Sequence, residues 1–265
     1  MSAAYSSIAV AEAGEGIATL TLARPEKRNA LSIAFRDEIH AALSAWHDDP
    51  EVRVVILTGA GSKAFVSGAD ISKFESERAS QEATQRYNEQ TERIYSMLYS
   101  FEKPTIAMIR GFCVGGGLNL AICCDMRIAT VESRFALPAA KLGLGYGYNG
   151  IRRYIDTIGP VATKEIFFTA RQFGTDEALR WGVINHAVAD GELEAKVMET
   201  ANMIADNAPL TIKGIKLSTI EVLRDPQDRD LSRPAAAVAA CFASADYIEG
   251  RNAFMEKRKP NFTGR

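Results

Sequence analysis

The stretch KPTIAMIRGFCVGGGLNLA, residues 103–121, decides what fold the chain is expected to have. Its apolar beginning, Thr105 to Ile109, predicts a buried strand, and the apolar segment Gly115 to Cys124 predicts a helix. Three consecutive glycines let backbone approach a ligand closely, and a helix start offers N–H groups at the positive end of its dipole. The stretch therefore predicts a strand, a loop that receives an anion or oxyanion, and a helix. Tight packing of the helix on the strand would also explain the glycines.

Similar units of strand, loop and helix lie on both sides of this stretch. The other predicted strands are Ile17 to Ala23, Val52 to Leu57, Met126 to Thr130 and, as the only strand after residue 150, Val183 to Val188. The other predicted helices are Ala30 to His47, Ser80 to Tyr99, Ile151 to Ile158, Pro160 to Thr169, Thr175 to Trp181, Glu192 to Asn207, Leu210 to Leu223 and Ala235 to Lys257. We expect an α/β core over residues 1–208 and a helical C-terminal region over residues 209–265.

The composition excludes several classes of protein. With 265 residues, 47% of them hydrophobic and 24% charged, the chain can bury a core and is not disordered. The net charge is −2 and the basic residues form no long stripe, so no nucleic-acid partner is expected. No run approaches the roughly 18 apolar residues of a membrane span, and the first residues lack the pattern of a signal peptide. We expect a cytoplasmic protein without a membrane partner.

Metal binding is not expected. The histidines His40, His47 and His186 are far apart in the sequence and have no carboxylate-rich motif around them. The cysteines lack the paired spacing of a zinc site and are interpreted as buried apolar side chains. They are Cys113, Cys123, Cys124 and Cys241.

A second loop of small residues, KAFVSGADI at residues 63–71, follows the predicted strand Val52 to Leu57. It can offer a backbone N–H to a ligand, as the glycine cluster can. Two such loops can place two donors on one oxygen. If that oxygen belongs to a thioester, preorganised N–H groups stabilise the enolate charge that develops there.

Six motifs of the chain resemble those of the enoyl-CoA hydratase/isomerase (crotonase) superfamily in order and spacing, and the resemblance covers nearly the whole chain. They are Arg24 to Leu31, Phe65 to Ile71, Gly111 to Gly117, Cys124 and Asp125, Gly182 to Asn185, and Glu249 to Pro260.

The resemblance implies a fold, an assembly and a substrate. The fold is an α/β, crotonase-like spiral of ββα units with a helical C-terminal trimerisation region, assembled as a homotrimer or a dimer of trimers. The substrate is an acyl-CoA, with coenzyme A as part of the thioester and no separate cofactor.

The same resemblance assigns site residues. The backbone N–H groups of Ala69 and Gly116 form an oxyanion hole for the thioester carbonyl, and Asp70 is a structural carboxylate. The surrounding pocket includes Ser67, Gly68, Gly115, Ala139 and Tyr148. The residues expected to bind CoA are Lys27, Arg28 and Ala30, together with Phe254 and Lys257, which reach a neighbouring subunit's CoA.

The chain departs from the family pattern at two positions where hydratases have glutamates. Asn119 stands two residues past the third glycine, and Ala139 follows the proline of Phe135 to Pro138. Neither an amide nor a methyl group transfers a proton near neutral pH. We therefore do not expect standard hydratase activity.

The segment Lys141 to Gly150 contains Tyr146 and Tyr148 among glycines. Its GxGxxG spacing does not indicate NAD binding, because no clear strand precedes it and no acidic partner is evident. The tyrosines form a pocket wall that presents a phenol or, alternatively, pack with their hydroxyls at the surface. Tyr146 matches a tyrosine of two glutamate-poor branches, one similar to methylmalonyl-CoA decarboxylase and one to naphthoate synthase. The decarboxylase branch usually has a histidine at Ala69 and a glutamate at Asn119.

Three functional hypotheses follow. The first is an acyl-CoA lyase or isomerase that stabilises a thioester enolate and is a malonyl-type decarboxylase, with Asn119 orienting the substrate and Tyr146 binding the carboxylate or returning a proton. The second is an enoyl-CoA hydratase or isomerase for a branched or cyclic acyl group, with Tyr146 as the proton carrier. The third is a non-catalytic acyl-CoA-binding protein.

Overall fold

Two β-sheets organise residues 5–12, 14–70 and 79–265, the part of the chain that the computed structural model describes. The strands are β1 (Ile8–Glu12), β2 (Ile17–Leu22), β3 (Val54–Gly59), β4 (Ala64–Val66), β5 (Thr105–Ile109), β6 (Phe112–Val114), β7 (Met126–Thr130), β8 (Arg134–Ala136), β9 (Gln172–Phe173) and β10 (His186–Val188). The larger sheet has the order β1-β2-β3-β5-β7-β10, and the smaller has the order β4-β6-β8-β9. Pairing is parallel except between β1 and β2 and between β8 and β9.

The helices are α1 (Ile33–His47), α2 (Gln81–Tyr99), α3 (Gly116–Cys123), α4 (Tyr148–Thr169), α5 (Thr175–Trp181), α6 (Leu193–Ala205), α7 (Pro209–Leu223), α8 (Ser232–Ala243) and α9 (Ala245–Glu256). Ser32 caps α1 by accepting the N–H of Phe35, and Ser80 caps α2 by accepting that of Ala83. No described helix is both long enough and apolar enough to cross a membrane.

A two-strand unit recurs along the chain. In the pairs β3 and β4, β5 and β6, and β7 and β8, the first strand joins the larger sheet and the second joins the smaller. Helix α3 follows the β5–β6 pair directly. The predicted α/β class and its ββα units are confirmed.

The larger sheet is buried on both faces, which explains why β3 is an unbroken apolar run rather than an alternating one. Val55 and Leu57 pack into the main core, together with α1. Val54 and Ile56 face the other way, onto the apolar stripe of α6. Packing on both faces therefore fixes the position of β3, which leads through β4 to the predicted loop at residues 67–70.

The structure differs from the sequence prediction in several elements. The single helix expected from Ala235 to Lys257 is two helices, because Ser244 is extended and its Oγ caps α9 by accepting the N–H of Tyr247. Helix α4 spans both helices expected on either side of Gly159, whose positive φ interrupts it. The expectation of a single strand after residue 150 is wrong, since β9 pairs with β8.

Cys113, Cys123 and Cys124 are buried as expected, but Cys241 is partly exposed.

The predicted boundary at residues 208 and 209 lies at the start of α7. Arg53 connects the two sides of this boundary by donating to the carbonyls of Ala205 and Phe262, at 2.9 and 2.6 Å. The division into a core and a C-terminal region remains a prediction.

Candidate active site

The glycine cluster, Gly115 to Gly117, joins β6 to α3. A different structural feature explains the glycine at each position. Gly115 has φ 54° and ψ −115°, a conformation that residues with a side chain rarely adopt. At Gly117 a Cβ would stand 2.5 Å from the carbonyl oxygen of Val66, so the helix packs directly on the backbone of β4. Gly116 is the first residue of α3, at the positive end of its dipole. The packing explanation therefore applies to Gly117, and the ligand-binding explanation of the cluster remains a prediction.

The second loop, Ser67 to Asp70, lies against this cluster. It is held by Leu31, whose N–H donates to Gly68 at 2.8 Å and whose carbonyl accepts from Asp70 at 2.9 Å. The N–H of Ala69, between these two residues, takes no part in these hydrogen bonds. A Cβ on Gly116 would be 3.8 Å from the nitrogen of Ala69, so the two loops meet.

The backbone N–H groups of Ala69 and Gly116 do not donate to any atom in the described part of the chain. Both residues are only partly buried. Two unpaired N–H groups side by side can donate to one ligand oxygen. The arrangement can hold one oxygen that becomes negatively charged during a reaction.

A cavity of about 640 Å³ opens at this point. It is bounded by the two loops, by α2 and by the segment from Leu137 to Tyr154. The structure brings together nine of the residues predicted for the site, which all line the cavity: Ser67, Gly68, Ala69, Gly115, Gly116, Asn119, Ala139, Tyr146 and Tyr148.

The residues predicted to bind CoA lie outside this cavity. Lys27 and Arg28 are exposed, and Ala30 is buried, on the loop that precedes α1. This loop adjoins the site, since the carbonyl of Arg28 accepts from the N–H of Ser67 at 3.1 Å. Phe254 is exposed on α9, and Lys257 ends that helix. Their roles in CoA binding remain predictions.

Asn119 is fixed between two tyrosines. Its Nδ2 donates to the hydroxyl oxygen of Tyr146 at 2.8 Å, and its Oδ1 accepts from the hydroxyl of Tyr154 at 2.7 Å. Both tyrosine rings meet Phe167 edge-on, with centroid distances of 4.8 and 5.1 Å. Because the oxygen of Tyr146 accepts from Asn119, the hydroxyl hydrogen of Tyr146 is left for a partner in the cavity.

The phenol of Tyr146 is neutral near pH 7. Burial raises its pKa to about 12, although the hydrogen bond from Asn119 opposes the rise. A neutral phenol can donate a proton to a carbanion or enolate, but it is not a base. Tyr148, by contrast, is 71% exposed, so the surface alternative describes it better.

Glu92 is the one carboxylate among the described residues of the cavity wall. Arg153 forms an ion pair with it, and Asn149 also donates to it. Burial favours the protonated form, but the hydrogen bonds from Arg153 and Ser96 outweigh it and hold the pKa of Glu92 below its ordinary value. Glu92 is therefore an ionised partner of Arg153. Asp70 is buried in an ion pair with Arg24, which fits its expected structural role.

Sequence reasoning did not identify Tyr154, Glu92 or Arg36 as residues of the cavity wall. Each lies within a helix, where its spacing resembles that of ordinary core or surface residues. Only the packing of α1, α2 and α4 around the cavity brings them together. The GxGxxG spacing does not form a dinucleotide loop, since Gly145 and Gly147 follow a 3₁₀ turn rather than a strand.

Comparisons with known proteins give one consistent result. Residues 12–265 match the family model described as enoyl-CoA hydratase/isomerase. The chain is 38% identical over 259 residues to the crotonyl-CoA hydratase of Syntrophomonas wolfei subsp. wolfei, covering 98% of each chain. It is 36% identical to the short-chain-enoyl-CoA hydratase of Clostridium acetobutylicum, covering 92% of each. The solved structure of the enoyl-CoA hydratase from Bacillus anthracis matches with a TM-score of 0.91 at 31% identity, covering 98% of this chain and 100% of that one.

Proposed function

The chain belongs to the enoyl-CoA hydratase/isomerase family, and from this premise we propose that it converts an acyl-CoA thioester through an enolate held by the N–H groups of Ala69 and Gly116. The observation that carries this proposal is the meeting of the two loops with both N–H groups unpaired at the cavity. Donors aimed at a developing oxyanion commonly account for a large part of an enzyme's rate enhancement.

Within this scheme we assign the reaction as hydration or isomerisation of an enoyl-CoA with a branched or cyclic acyl group. The names of two relatives, both hydratases at 36% and 38% identity, support this reaction class. Asn119 and Ala139 stand where proton-transferring glutamates were expected, so the acid is assigned to Tyr146. In hydration, water adds to the β-carbon, Tyr146 protonates the α-carbon, and the resulting phenolate takes the proton that the water loses.

A malonyl-type decarboxylation is the second candidate, because it starts without a general base. The bond to the carboxylate breaks, carbon dioxide leaves, and the electron pair remains in the enolate. Tyr146 then returns a proton to the α-carbon. The observation that favours it is the ion pair of Glu92 with Arg153, which leaves no unpaired carboxylate among the described residues of the cavity wall.

One set of assays separates these reactions. Purified protein is incubated with crotonyl-CoA, a 2-methyl-branched enoyl-CoA, malonyl-CoA and methylmalonyl-CoA, while loss of the enoyl thioester and release of carbon dioxide are followed. Turnover of the branched enoyl-CoA without carbon dioxide supports the first assignment, and carbon dioxide from a malonyl thioester supports the second. Tight binding of all four without any product would contradict both and leave a non-catalytic binder.

We also propose that the chain assembles as a homotrimer or a dimer of trimers, with Phe254 and Lys257 reaching a neighbour's CoA. Large apolar side chains are exposed on the C-terminal helices, including Val222, Phe242 and Met255, and burial against other copies would remove them from water. Light scattering on the eluting protein should give three or six times the chain mass of 28.8 kDa. A monomer mass would overturn the assembly.

A further inference from the structure

Arg36 is a buried cation in the wall of the candidate active site. It lies in the first turn of α1, shortly after Leu31, the residue that holds the loop of Ala69 in place. Its side chain lines the cavity, and the residue is 3% exposed.

The guanidinium of Arg36 is only partly satisfied. Its Nη2 donates to the hydroxyl of Tyr87 at 2.5 Å, and its carbon lies 4.4 Å from the centroid of the Tyr87 ring. Its Nε and Nη1 are buried and have no hydrogen-bond partner among the described residues. One hydroxyl and an aromatic face do not compensate a full buried charge.

The other charges of the cavity do not compensate it either. The charged residues that line the described wall are Arg36, Glu92 and Arg153. Glu92 and Arg153 neutralise each other in an ion pair. The described wall therefore carries one uncompensated positive charge, at Arg36.

Arg36 lies on the side of the cavity near the candidate oxyanion hole. Its charge opposes the rise that burial causes in the pKa of Tyr95. The hydroxyl of Tyr95 donates to the carbonyl of Gly116 at 3.2 Å. The positive charge of Arg36 therefore acts on a residue that contacts the candidate oxyanion hole. The exposed Lys27 and Arg28, expected to meet the CoA phosphates, lie outside the cavity.

We propose that Arg36 determines specificity for acyl-CoA substrates whose acyl group carries its own carboxylate. The carboxylate accepts charge-assisted hydrogen bonds from the unpaired guanidinium nitrogens and supplies the missing negative charge. This inference rests on the proposed acyl-CoA function and narrows its substrate class. It applies equally to a carboxylated enoyl-CoA and to a malonyl-type thioester.

Calorimetric binding with unreactive thioesters tests this without requiring turnover. Glutaryl-CoA is compared with its methyl ester, glutaryl methyl ester CoA, which has the same chain without the charge. The wild-type protein should bind glutaryl-CoA about tenfold or more tightly than the ester, as hydrogen bonds to a charged group would give. Equal affinities for the two would overturn the inference.

Substitutions test whether Arg36 causes the preference for glutaryl-CoA over its methyl ester. Arg36→Gln should lose it, Arg36→Lys should keep part of it, and Arg180→Gln, a change at an exposed arginine on α5, should leave it intact. A preference that persists in folded Arg36→Gln would contradict the role of Arg36. If Arg36→Gln does not fold, Arg36→Lys carries the test, and an undiminished preference in folded Arg36→Lys would contradict the role of the guanidinium nitrogens. Failure of the proposed function appears differently, as absence of binding to both thioesters or of product in the turnover assays.

Discussion

Asn119 stands at a position where a proton-transferring glutamate was expected. Its carboxamide accepts from Tyr154 and donates to Tyr146, so it orients a neutral phenol instead of transferring a proton itself. The departure at Asn119 was visible in the sequence, and Tyr146 was identified from its unusual surroundings. Tyr154 was not, because its contact with Asn119 depends on how α4 packs against α3.

Replacing Tyr146 by phenylalanine removes the proposed proton donor and keeps the ring that packs on Phe167. We expect kcat on the accepted substrate to fall by about 10²- to 10⁴-fold, the usual contribution of general acid catalysis, with little change in the affinity for acyl-CoA. Steady-state kinetics and calorimetry measure the two quantities. Tyr247→Phe, at an exposed tyrosine outside the active-site cavity, is the matched control. Wild-type kcat in Tyr146→Phe would contradict the assignment.

The rate should also show the raised pKa of Tyr146. The protonated phenol is the active form, and burial raises its pKa to about 12, so activity should persist through pH 10 and decline only as the pH approaches 12. Profiles of kcat between pH 7 and 10.5 test this while circular dichroism monitors folding. A loss of rate centred near pH 10, the ordinary phenol value, would show that the acid is not a buried tyrosine.

At the scale of elements, the long segments were predictable and the short ones were not. Thr105 to Ile109 and Met126 to Thr130 were predicted with the observed bounds, since their apolar runs end in clear turns. Strands β4, β6 and β8 have three residues each, too few for a periodic pattern, and form only because they pair with one another across the sequence. Two of these strands, β4 and β6, lead directly into the two loops of the site.

The contact of α3 with β4 predicts a cost for adding one methyl group. In Gly117→Ala the new Cβ would stand 2.5 Å from the carbonyl oxygen of Val66, so helix or strand must shift. We expect the free energy of unfolding to fall by about 1–3 kcal/mol, together with a loss of activity. Urea denaturation measures the first. Gly191→Ala, where nothing lies within 4 Å of the new Cβ, is the control. Unchanged stability in Gly117→Ala would refute this packing.

In the molecule as a whole, an ion pair connects α7 to the larger sheet. Lys216 on α7 is buried and contacts Asp125, just before β7, at 2.6 Å. Asp125 also accepts from the N–H and hydroxyl of Thr105, at the start of β5. This ion pair was not predictable from residues 91 positions apart in the sequence.

Lys216→Met should destabilise the protein by about 1–3 kcal/mol, because it removes both the ion pair with Asp125 and the hydrogen bond that buried Lys216 donates to the carbonyl of Lys103. Denaturation midpoints at constant protein concentration measure the change. Lys196→Met breaks a pair on the surface of α6 and should have an effect within about 1 kcal/mol. Equal effects of the two substitutions would contradict the structural role of Lys216.

A crystal structure with a bound, unreactive acyl-CoA would show whether Ala69 and Gly116 together hold the thioester oxygen. Glutaryl-CoA is suitable, since its thioester carbonyl is the group to be located. We predict that this oxygen lies about 2.7–3.1 Å from both backbone nitrogens. A thioester oxygen bound elsewhere, with either N–H directed at water or another group, would rule out this oxyanion hole.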